Sequence, residues 1–287
     1  MTETPAAVAP ERPHQPPTPW RSTRAAATVA FVALLVRDAA VLRKSLGTFV
    51  LRTVMQPLLF VFVFTFVFPK IGLGVGGAGR AEADFSNLLV PGVVAIACIF
   101  QGIQAVALPL VQDFGYTREI EDRVMAPLPV DAVALQKIVS GAIQGVLAAL
   151  VVFPLAVLVP ATPVHLRVQW LVLLTVTPLA ALLGATFGLT IGTRADPRQV
   201  PLVFSIIVIP ITFLGASYYP WARLSPIPWL KWAVLANPLV YMSEAFRAAL
   251  APQYPHMPLV AIDAGLIGFT AVLGWAGTTG FRRRVLS

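Results

Sequence analysis

The residues able to do chemistry are few, and most of them stand in one stretch, residues 113–137 (DFGYTREIEDRVMAPLPVDAVALQK). Glu119, Glu121 and Asp122 are close enough together to suggest a metal site or general acid–base work at a membrane surface. They are interleaved with Arg118 and Arg123, however, and Glu119 precedes Arg123 by four residues, the favourable order for a helical ion pair. Thr117 can cap such a helix, Glu119 falls where the helix dipole welcomes an acid, and Pro127 and Pro129 end it. Asp131 is placed to cap the helix that follows. Two uses fit a short, polar, exposed helix: a grip for another protein, or a solvated loop without a partner.

Other chemistry is scarce. Cys98 is the single cysteine, so neither a disulfide framework nor a thiolate metal site is available, and His14, His165 and His256 are scattered without ligand spacing. Gly72, Gly74 and Gly77 match a dinucleotide fingerprint by spacing, but they follow an apolar run ending at Pro69 and Lys70 instead of a strand, and no Lys-Ser/Thr pair accompanies them. Catalytic, cofactor and metal residues are therefore not expected on this chain.

The positioning elements are membrane helices. Of 287 residues, 57% are hydrophobic and 12% charged, with a mean hydropathy of +0.79, about half the charged fraction usual in a soluble domain. The net charge of +8 comes from basic residues flanking apolar runs, which speaks for membrane topology and against nucleic acid. The Pro-rich residues 1–23 read as a disordered tail. Ala25 to Val36 is too short to cross a ~30 Å core, and 24–47 is expected to lie in the interface. Six spans follow within 48–281: Val50–Phe68, Leu88–Val111, Val133–Val159, Val168–Ile191, Val200–Ser217 and Leu259–Phe281. Residues 282–287 form a basic tail. Fifteen of the 21 Lys and Arg fall on the side of both termini and the 113–137 loop, which places that side in the cytoplasm.

Between the last two spans, residues 218–257 read as two short helices dipping into the outer leaflet. Ser225-Pro226 and Asn237-Pro238 are their expected start signals. Trp229 and Tyr241 suit an interface, and Glu244 can pair with Arg247 off an apolar stripe of Leu239, Met242, Phe246 and Ala249. Within the spans the polar residues are mostly uncharged. Gln101, Gln104 and Gln144 either bond between packed helices or line a cavity wall. The scarcity of intramembrane charge argues against an ion-coupled carrier.

Three stretches carry a resemblance: VRDAAVLRKS leading into LRTVMQPLLF, REIEDRVMAPLPVDAVALQKI, and FLGASYYPWARLSPIPWLKWAVLANPLVYMSEAFRAAL. From about residue 30 to its end the chain resembles the membrane permease subunits of ATP-binding-cassette exporters of the drug-resistance and polysaccharide-export type, daunorubicin-resistance-like permeases among them. The resemblance implies an all-α integral membrane protein of six transmembrane helices in a bacterial inner membrane. It implies a coupling helix at 116–126 that meets a separate cytoplasmic ATPase through Tyr116, Arg118, Glu119, Glu121, Asp122 and Arg123. It also implies a connecting helix at 24–47 and an external gate in the re-entrant hairpin 218–257, with Trp229, Asn237, Pro238, Tyr241, Glu244 and Arg247. ATP and Mg would be held by the partner ATPase, and the permease would pair with a second copy or a sister permease through spans one and five. The cargo would be a drug-like, lipid-like or glycan molecule. The competing expectation is an integral membrane enzyme acting on a lipid or prenyl substrate.

Overall fold

The computed structural model describes residues 23–71, 80–114, 129–160, 164–196 and 200–286, and among these no strand occurs. The expected tail, the Gly72–Gly77 stretch and the expected coupling helix at 116–126 lie outside the described residues. Nine helices carry the fold. Among the described residues they are α1 (Thr23–Lys44), α2 (Leu46–Phe62), α3 (Arg80–Gln112), α4 (Val130–Leu158), α5 (Trp170–Arg194), α6 (Val200–Phe213), α7 (Pro228–Ala233), α8 (Pro238–Leu250) and α9 (Leu259–Leu286), with one further turn at Phe68–Lys70. The run of α2 passes through Pro57 and continues into a π-type turn, Val63–Val67, where Thr65 Oγ1 donates to the Val61 carbonyl at 2.7 Å.

Helices α3, α4 and α5 form the centre. Their tight packing follows from small residues: Gly184, Gly188 and Gly192 recur every four positions on α5 and lie against the backbone of Ile99, Ile103 and Ala107 on α3. A Cβ on Gly188 would stand 2.8 Å from the Ile103 carbonyl oxygen. Such small-residue seams let helices approach where lipid supplies no hydrophobic drive between them. Helix α9 packs on α5, α2 packs on α3 and α4, and α8 is enclosed by α3, α5 and α9.

Two poles result. At the first, Lys137 on α4 meets Asp113 at 3.4 Å, Arg282 meets Asp131 at 2.9 Å, and Phe114 stacks edge-on against Phe281. Arg284 lies over Phe114 and donates to the carbonyls of Thr193 and Ala195 beyond the end of α5, cations being favoured at a helix C-terminus. At the second, Tyr254 donates to Asp84 at 2.7 Å and accepts from Asn87 at 3.0 Å, while Asn87 accepts from the His165 backbone at 2.8 Å.

Among the described residues six helices are long and apolar enough to cross a membrane: Ala25–Lys44, Leu46–Val67, Asp84–Gln112, Val130–Leu158, Trp170–Arg194 and Leu259–Val285. The number agrees with expectation but the membership differs. The expected span Val200–Ser217 is helical only to Phe213, about 21 Å of helix, because the chain turns at Leu214–Tyr219 to begin the hairpin. The segment expected to be too short, Ala25–Val36, continues as helix through its charges to Lys44. This α1 docks at the first pole, where Asp38 Oδ2 accepts from Gln136 Nε2 at 2.7 Å. Asp131 does not cap α4 either; the helix starts one residue earlier, after Pro129, and Asp131 sits in its first turn.

Candidate functional site

The hairpin between α6 and α9 holds the densest polar arrangement in the described interior. Asn237 caps α8 as expected, its side-chain oxygen accepting from the Leu239 N–H at 2.9 Å, with Pro238 in the first turn. Its amide also donates to the Ile211 carbonyl at 2.8 Å, so α8 begins beside the last turn of α6. It ends at the second pole, where the Arg167 and Gln169 N–H groups donate to the Leu250 and Ala249 carbonyls. Those bonds satisfy helix-end carbonyls that would otherwise lack partners. Helix α8 is thus covered by protein on nearly every side.

Ser225 does not start the first hairpin helix. Its hydroxyl donates to the Ala222 carbonyl inside a 3-10 turn, Trp221–Leu224, and α7 begins at Pro228 after Ile227. The expected stripe on α8 is also corrected. The helix is buried almost all round, with Ser243, Glu244 and Arg247 each 0% exposed. Its polar residues face other segments instead of water.

Glu244 and Arg247 form a clasp across three segments. Arg247 donates from one guanidinium nitrogen to Glu244 Oε1, and from the other to the Ala216 carbonyl at 2.9 Å. Glu244 Oε1 also accepts from the Trp221 N–H, and Oε2 from the Met257 N–H, both at 2.8 Å. Burial pulls the Arg247 guanidinium below its ordinary range, and the charge and hydrogen bond of Glu244 oppose that pull. Ala216 takes a φ of 52°, a left-handed conformation rare outside glycine, and this turns its carbonyl to the guanidinium. Beside it Ser217 and Ser243 share a hydroxyl bond at 2.9 Å, and the Ser217 backbone lies so close to Gly92 on α3 that any side chain there would collide. The i, i+3 pairing was legible in sequence; Ala216, Trp221 and Met257 were not, since backbone groups carry no residue signature.

The remaining expected residues separate. Trp229 is 72% exposed on α7, whereas Tyr241 packs its ring against Phe269 and Gly265 of α9. Gln101 accepts from Thr53 at 3.0 Å and donates to Gln144 at 3.2 Å, a bonded chain across α2, α3 and α4. Interhelical bonding therefore accounts for these two, while Gln104 faces a cavity near the first pole. Tyr116, Arg118, Glu119, Glu121, Asp122 and Arg123 lie outside the described residues. The residues on either side of them carry the buried Asp113–Lys137 pair and the exposed Asp131–Arg282 pair at the first pole.

A family model described as ABC-2 type transporter matches residues 29–251, most of the chain and the whole of the clasp except Met257. The chain belongs to the ABC-2 type transporter family. It is 27% identical over 168 residues to the inner membrane transport permease YadH of Escherichia coli K12, a match covering 57% of this chain and 62% of the relative. The permease of the same description in Shigella flexneri matches with the same identity and coverage. The matched region thus spans a little under two thirds of these relatives. Family membership and the six long apolar helices among the described residues together make this a multi-pass membrane protein of a transporter family.

Proposed function

We propose that this chain is the membrane half of an ATP-driven exporter in a bacterial inner membrane, with hydrolysis on a separate cytoplasmic ATPase. Family membership supports the class, and the arrangement of α3 supports the mechanics. One end of α3 carries Asp113 and Phe114, which bond to α4 and pack on α9 immediately before residues 115–128; its other half carries Gly92, seated on the Ser217 backbone beside the clasp. A push on 116–126 is delivered to one continuous helix, interrupted only by Pro91 and Pro109, that touches the hairpin directly. The first pole is then cytoplasmic, in keeping with its basic residues, and the hairpin is the external lid.

In this reading Glu119 and Arg123 steady the coupling helix, and Tyr116, Arg118, Glu121 and Asp122 meet the ATPase. Two permeases pair through α2 and α6, whose outward faces carry Leu51, Leu59, Phe62, Ile206, Ile209 and Phe213. Drug-like, lipid-like and glycan cargoes all remain within the scheme. The test is co-purification of the tagged permease with co-expressed ATP-binding-cassette ATPases of the same genome, for wild type and for Glu119→Ala with Arg123→Ala. The double variant is expected to lose most of the bound ATPase while keeping its own elution profile and unfolding midpoint. Full retention of the ATPase would refute the coupling role.

A further inference from the structure

Arg52, on α2, is a cation without a partner among the described residues. It stands six residues into α2, about 9 Å along the helix, a depth near the headgroup boundary if the first pole meets the membrane surface. It makes no hydrogen bond or ion pair there, although Gln56 and Gln104 lie beside it in the same recess. From this recess it reaches a cavity of about 380 Å³ between α1, α2, α3 and α4.

The lining of that cavity is polar and cationic. Arg37, Arg52 and Lys137 face it together with Ser45, Gln104 and Gln112, and Asp38 is its one carboxylate. Lys137 is matched by Asp113, and Asp38 accepts from Gln136. Asp38 keeps its charge, since Gln136 is a neutral donor, but Arg37 and Arg52 outnumber it, and Arg52 is the cation of this lining that has no partner among the described residues. Against the same wall of α4 a second groove of about 220 Å³ opens between α1 and α4, lined by Leu35, Leu42, Leu46, Ile143 and Leu147. The two spaces share Asp38, Leu42, Ser140 and Gln144. A cationic chamber joined to an apolar slot has the chemistry of an amphiphile with an anionic head.

We propose that this junction binds an anionic phospholipid, its phosphate on Arg52 with Gln104 as a neutral donor and an acyl chain along Leu42, Leu46, Ile143 and Leu147. An arginine offers a phosphate two parallel donors, which a lysine cannot copy. The apolar slot selects a lipid over a free phosphate ion, and the missing countercharge selects an anionic over a zwitterionic head. The site needs neither nucleotide nor ATPase, so it stands apart from the export reading.

The experiment uses the purified full chain in neutral detergent and fluorescently labelled phosphatidylglycerol, with labelled phosphatidylcholine as the zwitterionic control and inorganic phosphate as competitor. Wild type is expected to bind phosphatidylglycerol at least tenfold more tightly than phosphatidylcholine. Arg52→Gln should weaken phosphatidylglycerol about tenfold and leave phosphatidylcholine unchanged, Arg52→Lys should recover part of the loss, and Arg283→Gln, at the same pole but outside the cavity, should have no effect. If Arg52→Gln fails to elute as a folded species, Gln104→Leu takes its place and should weaken phosphatidylglycerol at least threefold. Equal affinity for the two lipids, an unaffected Arg52→Gln, or full displacement by millimolar phosphate would overturn the proposal, the last by showing that a soluble anion is the ligand.

Discussion

Replacing Glu244 by Gln tests whether the clasp holds the hairpin together. The carboxylate accepts three hydrogen bonds at 0% exposure, two from backbone N–H groups and one from Arg247. A carboxamide presents one acceptor oxygen and turns an NH2 toward a donor, so at least one N–H loses its partner and the Arg247 charge stays buried uncompensated. Breaking one side of a buried pair costs about 3–5 kcal/mol. At about 2–4 °C per kcal/mol, the unfolding midpoint should fall by roughly 10 °C. Arg247→Met should cost a similar amount, since it strands the carboxylate and frees the Ala216 carbonyl. The double variant should cost less than the two singles added, by about 2 kcal/mol, because neither charge is then left alone. The assay is thermal unfolding of the purified permease in detergent, followed by tryptophan fluorescence, with Trp221 reporting directly on the clasp. A midpoint for Glu244→Gln within about 2 °C of wild type, or strictly additive losses, would refute the reasoning.

Further outcomes follow from the same structure. Gly188→Ala should destabilise the α3–α5 seam by about 1–3 kcal/mol, since its Cβ meets the Ile103 backbone, whereas Gly268→Ala, with nothing within 4 Å, should be neutral; paired unfolding midpoints check both. Asp131→Asn should shift stability by under about 1 kcal/mol because its pair with Arg282 is more than half exposed on both sides, while Lys137→Met, at 6% side-chain exposure, should cost several times more by the same measurement. Asn87→Leu should loosen the second pole by about 1–3 kcal/mol, since the His165 N–H and the Tyr254 hydroxyl lose a partner, and faster amide exchange at 164–169 would report it.

Much of the fold was readable from apolar length. The spans now seen as α2, α3, α4, α5 and α9 are long hydrophobic runs, and a helix is the form in which such a run satisfies its own backbone in lipid. Asn237-Pro238 announced α8 for a similarly local reason: the cap and the first-turn ring need no distant partner. The errors occurred where neighbours decide. Ser225-Pro226 has the same local look, yet Ser225 bonds back into a 3-10 turn and the helix waits for Pro228. The end of α6 at Phe213 and the complete burial of Ser243 on α8 depend on how α3, α5 and α9 close around the hairpin.

The sequence alone determined that this chain lives in a membrane, that its charges gather at the ends of its spans, and that Glu244 and Arg247 stand one helical turn apart. All three follow from composition and from spacing along one element. Only the tertiary structure decided what that pair grips, because its other partners are the Ala216 carbonyl, 31 residues before Arg247, and the Trp221 and Met257 N–H groups, 23 residues before Glu244 and 13 after it. It likewise decided that Arg52 has no counter-ion among the described residues, since a side chain's partners across helices are set by packing and leave no mark in its own neighbourhood of the sequence.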